Sequence, residues 1–195
     1  MNRITQTRRP RALGLAAALA LAATGSQAAT LQERIALCAG CHNDDGNSKI
    51  EKIPSLAGQP AFFVLNSLFL MREGVRKVDA MAPFVKDLTD EELDGLSRHY
   101  SALPAKPSGE KIDAALAQKG AAVATQRGCG SCHLPDLEGQ QQMPRLAKQR
   151  IDYLIPTLKS YRDAPRPGAD TAMSAAIAGA SDEDIAALAN FSASK

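Results

Sequence analysis

The chain has 195 residues, of which 45% are hydrophobic, 4% aromatic and none tryptophan, with 23 lysines and arginines against 21 acidic residues. Arg3, Arg8, Arg9 and Arg11 all precede the first acid, so the remainder is slightly acidic and lacks the basic footprint of a nucleic-acid binder. Past the N-terminus no apolar run approaches the ~20 residues of a membrane-spanning helix, which leaves at most a peripheral membrane association.

In chain order, residues 1–28 read as a signal peptide for export: the arginines, an apolar run from Ala12 to Ala23, and small residues suited to cleavage near Ala28. The mature protein is then expected in an oxidising, extracytoplasmic compartment. A short helix, LQERIAL, leads into CAGCH (Cys38 to His42). PAFFVLNSLFLMR predicts a middle helix, and Thr89 with Glu92 forms a capping-box pattern that opens a closing helix. LPAKPSGEKID interrupts the apolar periodicity. It predicts a linker over 104–113 between a first domain at 29–103 and a second at 114–195. The second half repeats the plan: DAALAQKGAAVATQR as a helix, CGSCH (Cys129 to His133), RIDYLIPTLKSYR as a helix that Pro156 should kink or restart, and a closing helix opened by Ser181 and Asp184. The two halves align, pairing Pro54 with Pro144, Leu56 with Leu146, Gln59 with Gln149, Phe63 with Tyr153, Leu68 with Leu158 and Arg72 with Arg162. Helices are the only regular elements legible, so the expected fold class is all-α.

All four cysteines lie in the two pentapeptides. A four-thiolate zinc site would bring its pairs within about 15–20 residues, and a redox dithiol would follow a strand; neither needs a histidine directly after the second cysteine. Haem attachment does. Two thiols three positions apart can add to the two vinyl groups of one haem while the adjacent imidazole faces the iron. Cys38 and Cys41, then Cys129 and Cys132, are thus the expected attachment points of two covalent haem c groups, with His42 and His133 as proximal ligands. Each half is small for a self-sufficient core, and a haem would supply apolar bulk.

The opposite axial position has several candidates. His99 aligns with Phe191 and is read as a helix-face residue; Met71 lies opposite Tyr161 and is read as core packing; Met143 pairs with Ile53 and is read as packing near the haem. Met81 and Met173 recur, each in a loop eight residues before the cap of a closing helix, Thr89 or Ser181. They are the expected distal ligands, an ordinary core methionine being the alternative, and His/Met ligation raises the reduction potential. The Pro54 and Pro144 carbonyls are candidate acceptors for the second imidazole N–H, a plain loop turn being the alternative.

Both halves resemble class I cytochrome c domains, and residues 31–192 resemble the dihaem cytochrome c4 family. The residues that carry the likeness are the two Cys-x-x-Cys-His pentapeptides, DGNS, IPSLAGQ and MPRLAKQ, and the methionines ahead of TDEEL and SDEDI. The resemblance implies two tandem helical domains, each wrapped around a covalent haem, packed about a pseudo-twofold axis with haem propionates facing across the interface. It implies haem-pocket roles for Pro54, Leu56, Pro144 and Leu146. It also implies a periplasmic electron carrier between a quinol-oxidising cytochrome bc-type complex and a terminal oxidase, rather than an enzyme. An electron-accepting subunit of a periplasmic dehydrogenase is the alternative; a dihaem peroxidase would need a displaceable iron ligand and groups to handle protons.

Overall fold

The computed structural model describes residues 29–164 and 171–195; the export signal expected over 1–28 lies outside the described residues. Helix α1 (Leu31–His42) opens on a capping box that the sequence reading passed over. Glu33 N donates to the Thr30 hydroxyl at 3.3 Å and Thr30 N donates to the Glu33 carboxylate at 2.7 Å. This satisfies two of the amide donors that a helix start leaves without an intrahelical acceptor. Helix α2 (Ala61–Arg72) follows Pro60, α3 (Ala82–Val85) is a single turn, and α4 (Asp90–Ala102) opens on the expected Thr89–Glu92 box. Ile35, Val85, Leu88, Leu93, Leu96 and Tyr100 form the first core, with α4 packed on α1 and α2.

The second half contains α5 (Ala114–Gln126), α6 (Cys129–His133), α7 (Ile151–Asp163), α8 (Thr171–Ile177) and α9 (Asp182–Ser194). Helix α9 opens on the Ser181–Asp184 box and packs on α5 and α7 around Val123, Leu158, Ile177, Ile185 and Leu188. Among the described residues there is no strand, only an isolated bridge between Gln140 and Met143. The repeated arginines do one job twice. Arg72 Nη1 donates to Leu88 O at 2.9 Å and Asp90 at 2.8 Å, and Arg162 Nη1 donates to Ala180 O at 2.9 Å and Asp182 at 2.8 Å. Each ties the last turn of the middle helix to the first turn of the closing one.

Three local expectations need correction. The first pentapeptide does not follow a helix but forms its last turn, because Ala36 and Leu37 continue α1 into Cys38; in the second half Gly128, at φ 66°, breaks the chain between α5 and α6. Helix α7 runs through Pro156 without restarting: the ring lies on the exposed face, and the N–H it lacks is the intrahelical donor to Asp152 O. Met173 is inside α8 and not in a loop, whereas Met81 stays outside the helices, in the turn that leads into α3.

Residues 104–113 form neither helix nor strand and are pinned at both ends. Asn47 donates to Pro104 O at 3.1 Å and accepts from Lys106 N at 2.8 Å; the Glu110 carboxylate accepts from Ile151 N at 2.7 Å and Asp152 N at 3.1 Å. Asp113 N donates to Asn190 at 2.8 Å. A carboxylate at the start of α7 also complements the positive end of that helix.

Candidate functional site

In both halves the two cysteines and the histidine lie within one or two helical turns, so the thiols, three positions apart, emerge on one side. None of the four cysteines is in a disulfide; Cys38 and Cys129 are half-buried, Cys41 and Cys132 exposed. Burial pushes the Cys38 and Cys129 thiols above their ordinary range, so as free side chains both stay protonated.

His42 and His133 are 5% and 6% exposed. Their Nδ1 atoms lie 2.9 Å from Pro54 O and 2.8 Å from Pro144 O. A carbonyl oxygen only accepts, so each Nδ1 carries the proton and each Nε2 keeps its lone pair. Burial holds both imidazoles below their ordinary pKa, against the opposing pull of the proline bonds, so both are neutral at neutral pH. A neutral imidazole with one nitrogen fixed by a backbone carbonyl is the form in which histidine binds metal.

The residue after each histidine is strained in the same way. Asn43 stands at φ 68°, ψ 155° and Leu134 at φ 68°, ψ 157°, a region that glycine alone enters easily and that costs about 1–3 kcal/mol for other residues. The chain leaves the helix there and returns through a turn to the proline loop. Leu56 N and Ala57 N donate to Gly46 O at 2.7 and 3.0 Å; Leu146 N and Ala147 N donate to Leu137 O at 2.8 and 3.0 Å.

The methionines divide by core. Cys38, Leu56, Met71 and Met81 all pack against the first core, and Cys129 and Met173 against the second. Among the histidines and methionines, this pairing of one attachment cysteine and one recurring methionine on a single core is repeated in both halves. His99 lies on α4 half-buried: its ring meets Tyr100 edge-on at 4.9 Å, and its Nε2 is buried without a hydrogen-bond partner.

Between the halves lies a reciprocal amide clamp to which the sequence reading gave no role. Gln149 Oε1 accepts from Ser55 N at 2.8 Å and its Nε2 donates to Ser55 O at 2.9 Å. Gln59 Oε1 accepts from Arg145 N at 2.9 Å and its Nε2 donates to Arg145 O at 2.9 Å. Each glutamine grips the residue after the other half's proline. The signal in the sequence was the Gln59–Gln149 pair of the repeat; what was missing was how the halves dock. Arg145 itself is 4% exposed, donates to Ala57 O at 3.1 Å and to Ala147 O, and keeps Nη2 buried without a partner. Burial, with no carboxylate against it, pushes its pKa down to about 10. A cleft of about 430 Å³ beside it is lined by Gly58, Pro60, Ala105, Glu138 and Gln140.

Residues 117–194 match the Cytochrome c family, and residues 25–99 match Cytochrome C oxidase, cbb3-type, subunit III. Cytochrome c4 of Thiocapsa roseopersicina is 31% identical over 166 residues, covering 80% of this chain and 85% of its own. The thiosulfate dehydrogenase electron acceptor of Stutzerimonas stutzeri is 31% identical over 165 residues, covering 79% of this chain and 76% of its own. The crystal structure of reduced recombinant cytochrome c4 from Pseudomonas stutzeri superposes with a TM-score of 0.76 at 28% identity, covering 83% of this chain and 95% of that one. One helical design present twice, each copy with its own Cys-x-x-Cys-His, defines a tandem c-type cytochrome. Within that class the chain belongs to the cytochrome c4 family: it is an electron-transfer protein that carries two covalent haem c groups and exchanges electrons with redox proteins.

Proposed function

We propose that the protein is a periplasmic shuttle that moves electrons singly from a quinol-oxidising cytochrome bc-type complex to a terminal oxidase, without catalysing a reaction on a small molecule. Cys38 and Cys41 would hold the first haem and Cys129 and Cys132 the second, with His42 and Met81, and His133 and Met173, as axial ligands. Pro54, Leu56, Pro144 and Leu146 would shape the pockets, residues 29–103 and 114–195 being the two domains and 104–113 the linker. The donors fit such a group. Each half offers two free thiols, a neutral imidazole with an uncommitted Nε2, and a thioether on the same core as the first thiol. At the seam the unpaired Arg145 Nη2 is a buried cation awaiting an anion, which a propionate facing the interface would supply.

The observation that carries this reading is the imidazole fixed at Nδ1 by a proline carbonyl, present in both halves at 2.9 and 2.8 Å. Bound haem supplies the ferric/ferrous couple. The chain's own part is to fix the imidazoles, exclude water and keep a methionine on each distal side, which favours the ferrous form. A second reading, an electron acceptor for a periplasmic dehydrogenase, is favoured by the relative from Stutzerimonas stutzeri, whose name states that role.

Redox-titrated visible and near-infrared spectra of the mature holoprotein test the assignment. Met81→Ala and Met173→Ala should each remove about half of the weak sulfur-to-iron absorption and lower one of two potentials. An unchanged band in Met81→Ala would move the first-half ligand role to Met71 or His99, and one in Met173→Ala would remove Met173 from that role in the second half.

A further inference from the structure

The peptide group between Pro54 and Ser55 is used at both ends. Its carbonyl accepts from His42 Nδ1 at 2.9 Å, and its N–H donates to Gln149 Oε1, from the other half, at 2.8 Å. The group between Pro144 and Arg145 is used in the mirror sense, with its carbonyl accepting from His133 Nδ1 at 2.8 Å and its N–H donating to Gln59 Oε1 at 2.9 Å. Gln59 and Gln149 are 3% and 2% exposed, so water does not compete for these bonds. We infer that the two glutamines are crossed positioning residues: Gln149, in the second half, sets the donor strength of His42 in the first, and Gln59, in the first half, sets that of His133 in the second.

The physical reason is the polarisation of one amide by two partners. An acceptor on the N–H side draws the amide toward its charge-separated resonance form and makes its oxygen more negative, so the bond on the carbonyl side strengthens, by about 10–30% per linked bond in condensed phase. A stronger acceptor at Nδ1–H gives the imidazole more imidazolate character and makes Nε2 a better donor. A better-donating ligand stabilises ferric over ferrous iron and lowers the potential. Removing Gln149 should therefore raise the potential of the first half, and removing Gln59 that of the second.

This rests on the assignment of His42 and His133 as proximal ligands. The competing expectation for a seam residue that merely holds the halves together has the opposite sign and no crossed pattern. Loosening the interface admits water, which favours the charged ferric form and lowers both potentials together.

Holoprotein labelled with 15N-histidine, wild type and with Gln149→Leu or Gln59→Leu, separates these. In the ferrous state Gln149→Leu should move the His42 Nδ1–H resonance toward a weaker hydrogen bond and leave His133 in place. At a fixed ambient potential it should increase the ferrous share of the first half a few-fold. Gln59→Leu should do the converse. Gln149→Glu, which keeps an acceptor on Ser55 N, should leave the first-half potential at or below the wild-type value. If a leucine variant does not fold, Gln149→Asn and Gln59→Asn withdraw the amide by one methylene and should give smaller shifts of the same sign and crossing. Shifts confined to the variant's own half, equal shifts in both halves, or no shift with both imidazoles iron-bound would overturn the inference alone. Wild-type imidazoles that are not iron-bound would overturn the ligand assignment as well.

Discussion

The two halves take nearly the same backbone through different residues, and the difference shows where each carries strain. Gly58 at φ 66° donates its N–H to Tyr100 O at 2.9 Å; its counterpart Lys148 at φ 58° donates to Ser192 O at 2.9 Å. Where the first half has Gly46 at φ 70°, the second has Leu137 at φ 58°, a leucine that recovers part of the cost by being 2% exposed. The second half therefore forces side-chain-bearing residues into left-handed turns that the first assigns to glycine. Its helices differ as well: α5 crosses α9 so closely that a Cβ on Gly120 would lie 2.1 Å from Ala187 O. The matching approach in the first half, at Gly95, meets only the rotatable end of Leu31, at 2.8 Å. Tolerance in the loops and tolerance at the helix crossing are thus exchanged between the halves.

The helix crossing offers the largest test. Gly120→Ala would push α5 off the α9 backbone and should cost ~2–3 kcal/mol, the upper part of the range for overpacking. Gly95→Ala displaces only a leucine tip and gains helix propensity of up to about 1 kcal/mol, so it should be neutral or stabilising. Denaturant melts with hydrogen exchange resolved by half would register the contrast. Equal losses in the two variants would show that the crossings are equivalent after all.

The left-handed turn offers the next. Lys148→Gly relieves a side chain at positive φ and should stabilise the second half by about 1 kcal/mol, whereas Gly58→Lys should cost the first half a similar amount. A neutral Lys148→Gly would mean that the lysine side chain offsets its own strain.

What was legible in the sequence follows from how local each cause is. The Thr89–Glu92 and Ser181–Asp184 boxes were readable because a cap and its partner sit three residues apart. The two pentapeptides were readable because haem chemistry fixes the spacing of thiols and imidazole. Arg72 and Arg162 were visible as a repeat but not as clamps, since Leu88, Asp90, Ala180 and Asp182 are set beside them only by packing. The Gln59 and Gln149 amides were out of reach for the same reason, since their partners belong to the opposite half and depend on its docking. The loop expected at Met173 misjudged a short run, TAMSAAI, whose alanines support a helix once Ile177 is buried. His99 was legible as a helix residue, but the burial of its Nε2 was not, since it depends on the fold around it.

The smallest expected effect is one of acid. In the first half Asp45 accepts from Lys106 Nζ at 2.8 Å, from Asn47 N at 3.0 Å and from Asn43 Nδ2 at 2.8 Å. The Lys106 bond first, then the Asn47 amide, hold its pKa down at about 2. Its counterpart Asp136 is largely exposed and meets Lys195 at 3.2 Å. A carboxylate whose folded pKa is depressed contributes stability that is complete above its unfolded value, near 3.9, and is lost as pH falls through the folded one. Between about pH 4 and pH 2 the first half should therefore lose stability from Asp45. Asp45 is a third exposed and its pairing partly screened by solvent, so the loss should be slight beside the glycine variants. Lys106→Met removes the leading cause and raises the folded pKa, so the loss should still begin near pH 4 but be smaller and complete at a higher pH, without changing stability at neutral pH by more than the worth of one surface pair, about 0.2–1 kcal/mol. Hydrogen exchange of α1 and the turn after His42, followed down the acid limb, reads it directly. An acid loss of the same size and end point in Lys106→Met would show that the Asn47 and Asn43 bonds alone keep Asp45 ionised.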